Sequence, residues 1–211
     1  MLGWIAGAIA LVAVIVAGVN LDYIKKTETY TFVSDQLHST GGAASSILSS
    51  MQTTSSMKIS STAFEDGSSI PASFTCDAPS PISPPLQISG VPQEAKSLVL
   101  IMDDPDVPRA LRPDGVFDHW VVFNLPPSTT HIEEGATPAN VGLNGSGKST
   151  YAGPCPPREY EPSEHRYVFT LYALDIDGLK VEQTPTKAEV LKAMEGHIIG
   201  EAKLIGKYKR P

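Results

Sequence analysis

The sequence predicts a mainly β protein: a sandwich of two antiparallel sheets with one short C-terminal helix, preceded by an N-terminal transmembrane helix. Three observations carry this. Apolar runs of strand length at 98–102, 120–125 and 167–174 are each bounded by Asp, Pro, His or Trp. Gly 17 and Pro 18 in 211 residues mark frequent turns. The globular part has only one clear helix signature, and it stands late in the chain.

The chain opens on a charge-free apolar stretch, 2–19, with no Lys or Arg before Tyr23. About 18 such residues at ~1.5 Å rise nearly cross a ~30 Å hydrocarbon core. A signal peptide would begin with a positive region, so residues 1–22 read as a membrane anchor or uncleaved signal segment, with 2–21 in the bilayer. Residues 23–56 are rich in Ser, Thr and Gly and read as a tether, with Tyr30-Thr31-Phe32-Val33 as a short strand standing alone. Lys25 and Lys26 favour a cytoplasmic domain by the positive-inside rule. Two lysines weigh little, and an extracytoplasmic domain on a single-pass anchor is the expectation.

Residues 57–211 form the globular domain. Residues 58–64 alternate as an edge strand does, and Glu65-Asp66-Gly67-Ser68 is a turn. Residues 83–90 make a Pro-entered strand, and 97–102, 120–125 and 166–174 make central strands. Thr186 with Glu189 spells a capping box, Val190, Leu191 and Met194 give an apolar stripe, and Gly196 offers a stop. Residues 197–208 read as a last strand. Cys76 and Cys155 are the only cysteines, and neither lies in a C-x-x-C motif. Outside the cytoplasm they are able to pair; inside it they would stay thiols.

Gly142-Leu143-Asn144-Gly145-Ser146-Gly147-Lys148-Ser149 matches the phosphate-loop pattern letter for letter. That loop works only between a buried parallel strand and a helix whose amides face the phosphates. Gly/Pro-rich text follows, with Pro154, Pro156 and Pro157, where no helix can continue. The match is rejected. A formal charge of −7 also argues against nucleic-acid partners, which need a basic face.

The remaining motifs are Asp104-Pro105-Asp106-Val107-Pro108, then Asp118-His119-Trp120 running to Asn124, then Gly153-Pro154-Cys155-Pro156-Pro157 and His165-Arg166-Tyr167. In this order they resemble the phosphatidylethanolamine-binding protein family, in its bacterial and archaeal Raf kinase inhibitor-like branch. Phe74-Thr75-Cys76-Asp77, Ser83-Pro84-Pro85-Leu86 and His197 resemble it too, and the likeness spans about 57–208. It implies a β-sandwich with a small anion pocket at one end. Asp104, Asp106 and Pro108 would form one side, His119 the facing side, Pro156 and Pro157 a wall, and His165 and Tyr167 the rim. It also implies binding of phosphate, phosphoethanolamine or acetate-like groups without catalysis, and inhibition of a kinase or protease as a regulatory role.

The chemistry of these residues fits a binding site with no cofactor. Nearby carboxylates would favour a charged His119, Tyr167 offers a phenolic donor, and Cys155 has the free backbone N–H that its proline neighbours lack. The carboxylates would orient His119 and receive the ammonium of a zwitterionic headgroup. Arg166 would pair with an acidic neighbour, and Trp120 would lie in the core. Glu159, Glu161 and Glu164 would add negative charge at the pocket mouth. The alternative is a metal-dependent hydrolase using Asp104, Asp106, His119 and His165. A serine hydrolase lacks its G-x-S-x-G elbow. Taken singly, each residue has an ordinary structural explanation, and only the joint pattern lifts them above it.

Overall fold

The structure, a computed structural model, describes residues 56–211. The expected membrane segment, the strand at 30–33 and nearly all of the tether lie outside these residues. Among the described residues, no helix is long and apolar enough to cross a membrane.

Seven strands form two antiparallel sheets. The smaller has the order β1–β2–β5, with β1 at Lys58–Ser60, β2 at Leu86–Ser89 and β5 at His131–Ile132. The larger has the order β4–β3–β6–β7, with β3 at Ser97–Asp104, β4 at Phe117–Leu125, β6 at Glu164–Leu174 and β7 at Ile198–Lys209. Alternation along the strands decides which side chains meet. Leu98, Leu100 and Met102 of β3 face the small sheet and join Ile59, Leu86 and Ile132 in the main core. Val99 and Ile101 face the other way, under α1 (Lys187–Met194). The large sheet is thus covered on both faces, which is why β3 reads as an unbroken apolar run rather than an alternating one.

The helix begins as its sequence predicts. Thr186 Oγ1 accepts from the Glu189 amide, and Glu189 Oε2 accepts from the Thr186 amide at 2.8 Å. Gly196, at φ +79°, turns the chain left-handed beyond its end. Val190 and Met194, one turn apart, are fully buried against the sheet. Leu191 is not part of that stripe: about 100° round the helix, it stays 37% exposed.

Two irregularities matter for function. Met102 pairs with Trp120 and Asp103 with Asp118, so His119 is an extra residue in β4 without a partner on β3. This bulge lets His119 and Trp120 both point inward, where strict alternation would send one out. The phosphate-loop letters at 142–149 open no helix. They wrap around the buried Asn144, whose Oδ1 accepts from the amides of Ser146 (2.9 Å) and Lys148 (3.1 Å) and whose Nδ2 donates to Thr150 O (3.0 Å).

Candidate functional site

The antiparallel order brings the end of β3 and the starts of β4 and β6 to one edge of the large sheet. A cavity of about 440 Å³ opens there, and Asp104, His119 and His165 all line it. Residues 104 and 165 face each other because β3 and β6 are neighbours: His165 Nδ1 lies 2.7 Å from Asp104 Oδ2, and both residues are buried. Asp104 Oδ1 takes the amide of Asp106 at 2.9 Å. Asp104 therefore orients His165, not His119.

His119 is held by Ala152 instead. Its Nδ1 donates to Ala152 O at 2.6 Å, and its own carbonyl accepts the Ala152 amide at 2.9 Å. With Nδ1 so occupied, Nε2 is left for the cavity. The sequence argument for a charged His119 does not hold. Burial favours the neutral ring and holds the pKa below its usual value, outweighing the backbone bond and the attraction of Asp104 and Asp118.

Tyr167 lies two residues beyond His165 on the inward face of β6 and is fully buried. Its ring meets His119 edge-on at 5.1 Å, so it stands behind the histidine rather than on the rim. Burial pushes its phenol well above the usual range, so the hydroxyl keeps its proton at neutral pH. Tyr167 does not line the cavity. Tyr167 Oη and His165 Nε2 are both buried without a partner.

Asp106 is closed off. Arg166 clamps it with Nε (2.9 Å), Nη2 (2.6 Å) and its backbone amide (2.9 Å), which holds the carboxyl below its usual range. The pairing expected of Arg166 is real, and it removes Asp106 from the cavity lining. Pro108 does not line the cavity either; its carbonyl accepts the amides of Leu111 (2.8 Å) and Arg112 (3.1 Å) and so fixes a turn. Pro157 and Cys155 are in the wall, with Pro156 buried behind it. None of Glu159, Glu161 and Glu164 lines the cavity.

The wall is braced from outside. Cys76 and Cys155 form a disulfide, and the Cys76 amide donates to Pro154 O at 3.0 Å. The next residue, Asp77, accepts from Tyr208 Oη (2.7 Å) and Arg210 Nη2 (3.0 Å), tying the chain's end to this segment. Tyr151 Oη donates to Phe74 O at 2.8 Å, and its ring packs edge-on against Trp120, which is core as expected.

Seven lining residues were not among the predicted site residues, and two of them, Arg112 and Ser146, carry polar side chains. Both lie in loops whose composition signals only turns.

A family model described as phosphatidylethanolamine-binding protein matches residues 60–209, more than two thirds of the chain. The chain belongs to this family. Among curated relatives, a UPF0098 protein of Methanothermobacter thermautotrophicus is 49% identical over 161 residues, covering 73% of this chain and 99% of its own. One from Chlamydia trachomatis is 48% identical over 155 residues, with the same coverage. Among solved structures, a phosphatidylethanolamine-binding protein homologue from Chlamydia trachomatis aligns with TM-score 0.70 at 47% identity, over 74% of this chain and 99% of its own. Escherichia coli YbcL, described as a new member of the mammalian PEBP family, aligns with TM-score 0.64 at 25% identity and the same coverage. The phosphatidylethanolamine-binding protein fold thus accounts for both sheets and the helix.

Proposed function

We propose that this domain is a non-catalytic, regulatory binding module whose cavity takes a phosphate or phosphoethanolamine-type group. One observation carries the reading: His165 Nε2 is buried without a partner in a cavity lined also by His119, whose Nε2 is free, and Tyr167 Oη is unpartnered behind it. An unsatisfied buried polar group costs about 1–3 kcal/mol; His165 lines the cavity and Tyr167 lies behind its wall, so a polar guest drawn to His165 and His119 would offset part of that cost. The family match supports the same class of ligand. A kinase or protease is the partner class the family resemblance suggests. The Cys76–Cys155 disulfide fits an oxidising compartment, and so a domain held outside the cytoplasm by residues 2–21 and the tether. The metal-hydrolase alternative loses Asp106 to Arg166. Among the described residues, no three of His, Cys, Asp and Glu are placed to share a metal.

Thermal unfolding with phosphate, phosphoethanolamine and acetate tests this. A ligand at about 100 times its Kd adds about 2.7 kcal/mol, or roughly 5–10 °C for a domain of this size. His119→Ala should abolish the shift. No shift in the parent protein with any of the three ligands would refute the proposal.

A further inference from the structure

We propose that Arg112 gives this cavity its preference for anionic ligands by meeting the oxygens of a phosphomonoester with its guanidinium. The inference rests on the binding function proposed above and goes beyond it by naming the source of charge selection.

Consider the charges around the cavity. Asp106 and Arg166 cancel each other in their clamp and do not line it. Asp104 does line it, as an acid. Burial keeps His119 towards its neutral form. Among the described residues, Arg112 is the only Lys or Arg in the lining. Without it the lining would hold Asp104 and no Lys or Arg, an unfavourable surface for phosphate.

Arg112 is also built to serve this role. Its guanidinium carbon sits 5.3 Å from the centroid of the Phe117 ring, and that ring packs against His119 at 4.7 Å. With the His119–Tyr167 contact, this makes a continuous ladder from the mouth to the unpartnered phenol. Arg112 Nη1 donates to Gly145 O at 3.1 Å, and its Nε makes a loose, exposed ion pair with Asp114 Oδ1 at 3.6 Å. The other N–H groups have no acceptor among the described residues. The fork is thus stacked and oriented but mostly unspent, which suits bidentate recognition of phosphate oxygens.

The phosphate-loop letters find their purpose here. A Cβ on Gly145 would fall 2.7 Å from the Phe117 ring, so only glycine lets this loop lie flat on the aromatic and offer its carbonyl to Arg112. Ser146, the next residue, reaches the cavity lining.

Calorimetric titration of Arg112→Gln and Arg112→Lys with inorganic phosphate and with phosphoethanolamine tests the inference. Loss of a charge-assisted bidentate contact should weaken phosphate binding about 10- to 100-fold in Arg112→Gln. Arg112→Lys should fall between this variant and the parent, keeping the charge but not the fork. Lys203→Gln, on the opposite edge strand β7, should bind as the parent does. Melting without ligand checks that each variant folds; Arg112 is 34% exposed, so folding should be little affected. Tighter parent binding of phosphoethanolamine than of phosphate would identify a headgroup as the source, and equal binding a free phosphate. Parent-like phosphate affinity in Arg112→Gln overturns the inference and leaves the binding function standing. No phosphate or phosphoethanolamine binding by the parent overturns both.

Discussion

Replacing both members of the Cys76–Cys155 disulfide by alanine separates what the bond does for stability from what it does for the cavity. The two cysteines are 79 residues apart in sequence. In the chain-entropy treatment, a loop of that length restricts the unfolded chain by about 4–5 kcal/mol at 25 °C. That is a large share of the roughly 5–15 kcal/mol of a typical domain. The native position of Cys76 has other supports: its amide bonds Pro154 O, and Asp77 bonds Tyr208 and Arg210. These act on the folded state, whereas the disulfide acts mainly on the unfolded one. The double variant should therefore lose about 4 kcal/mol in urea unfolding followed by circular dichroism. At low temperature, where it is still folded, its phosphate affinity should stay within about threefold of the parent's, as wall geometry sets affinity and loop closure does not. A stability loss under about 1 kcal/mol would refute the entropic account. Lost binding in a fully folded variant would show that the disulfide itself shapes the wall.

Two further predictions concern the frame around the cavity. Lys187 Nζ bridges Asp103 (3.0 Å) and Asp118 (2.5 Å) on the helix side of the sheet, and burial pushes the Asp103 carboxyl up to about 6. Its folded value lies above the unfolded value of about 3.9, so the unfolded chain ionises first; the stability linked to this group is full below about pH 4 and lost as pH rises through about 6, on the order of 3 kcal/mol. The stability difference between the parent and Asp103→Asn should therefore move in the variant's favour by up to that amount from pH 4 to pH 7, and a constant difference in denaturant melts would count against it. Asn144→Ala removes three hydrogen bonds to the loop bearing Ser146 and should cost about 2–3 kcal/mol. The same change should increase amide hydrogen exchange across 144–150, and unchanged exchange there would show that Asn144 does not organise the loop.

The sequence was most informative where local chemistry and global packing agree. The buried run of β3, the alternation of β6 and the capping box at Thr186 each state their structure in a few residues. β5 is only His131–Ile132, too short for any period, and it exists because β2 needs a partner. The site was legible as a set of motifs but not as a network. Asp104, Asp106, His119 and His165 are equivalent letters in a chain of text. Only three dimensions show that Asp104 serves His165, that Arg166 takes Asp106, and that a bulge turns His119 inward. Arg112 was illegible because its role depends on lying over Phe117, a contact made by a turn whose letters specify only the turn.

The Asp104–His165 pair has the look of catalytic machinery: a buried acid bonded to one imidazole nitrogen, with the other nitrogen facing inward. A catalytic base of this kind must hold a proton donor within hydrogen-bond reach on its free side. Among the described residues, no side chain, the Ser146 hydroxyl included, lies within hydrogen-bond reach of His165 Nε2. The second histidine, His119, turns its free Nε2 to the cavity, with Nδ1 committed to Ala152. What remains is a set of fixed dipoles around an acid, with one stacked guanidinium at the mouth. Such a set is the physical basis of the binding proposed above, in which a charged guest meets groups already fixed in place.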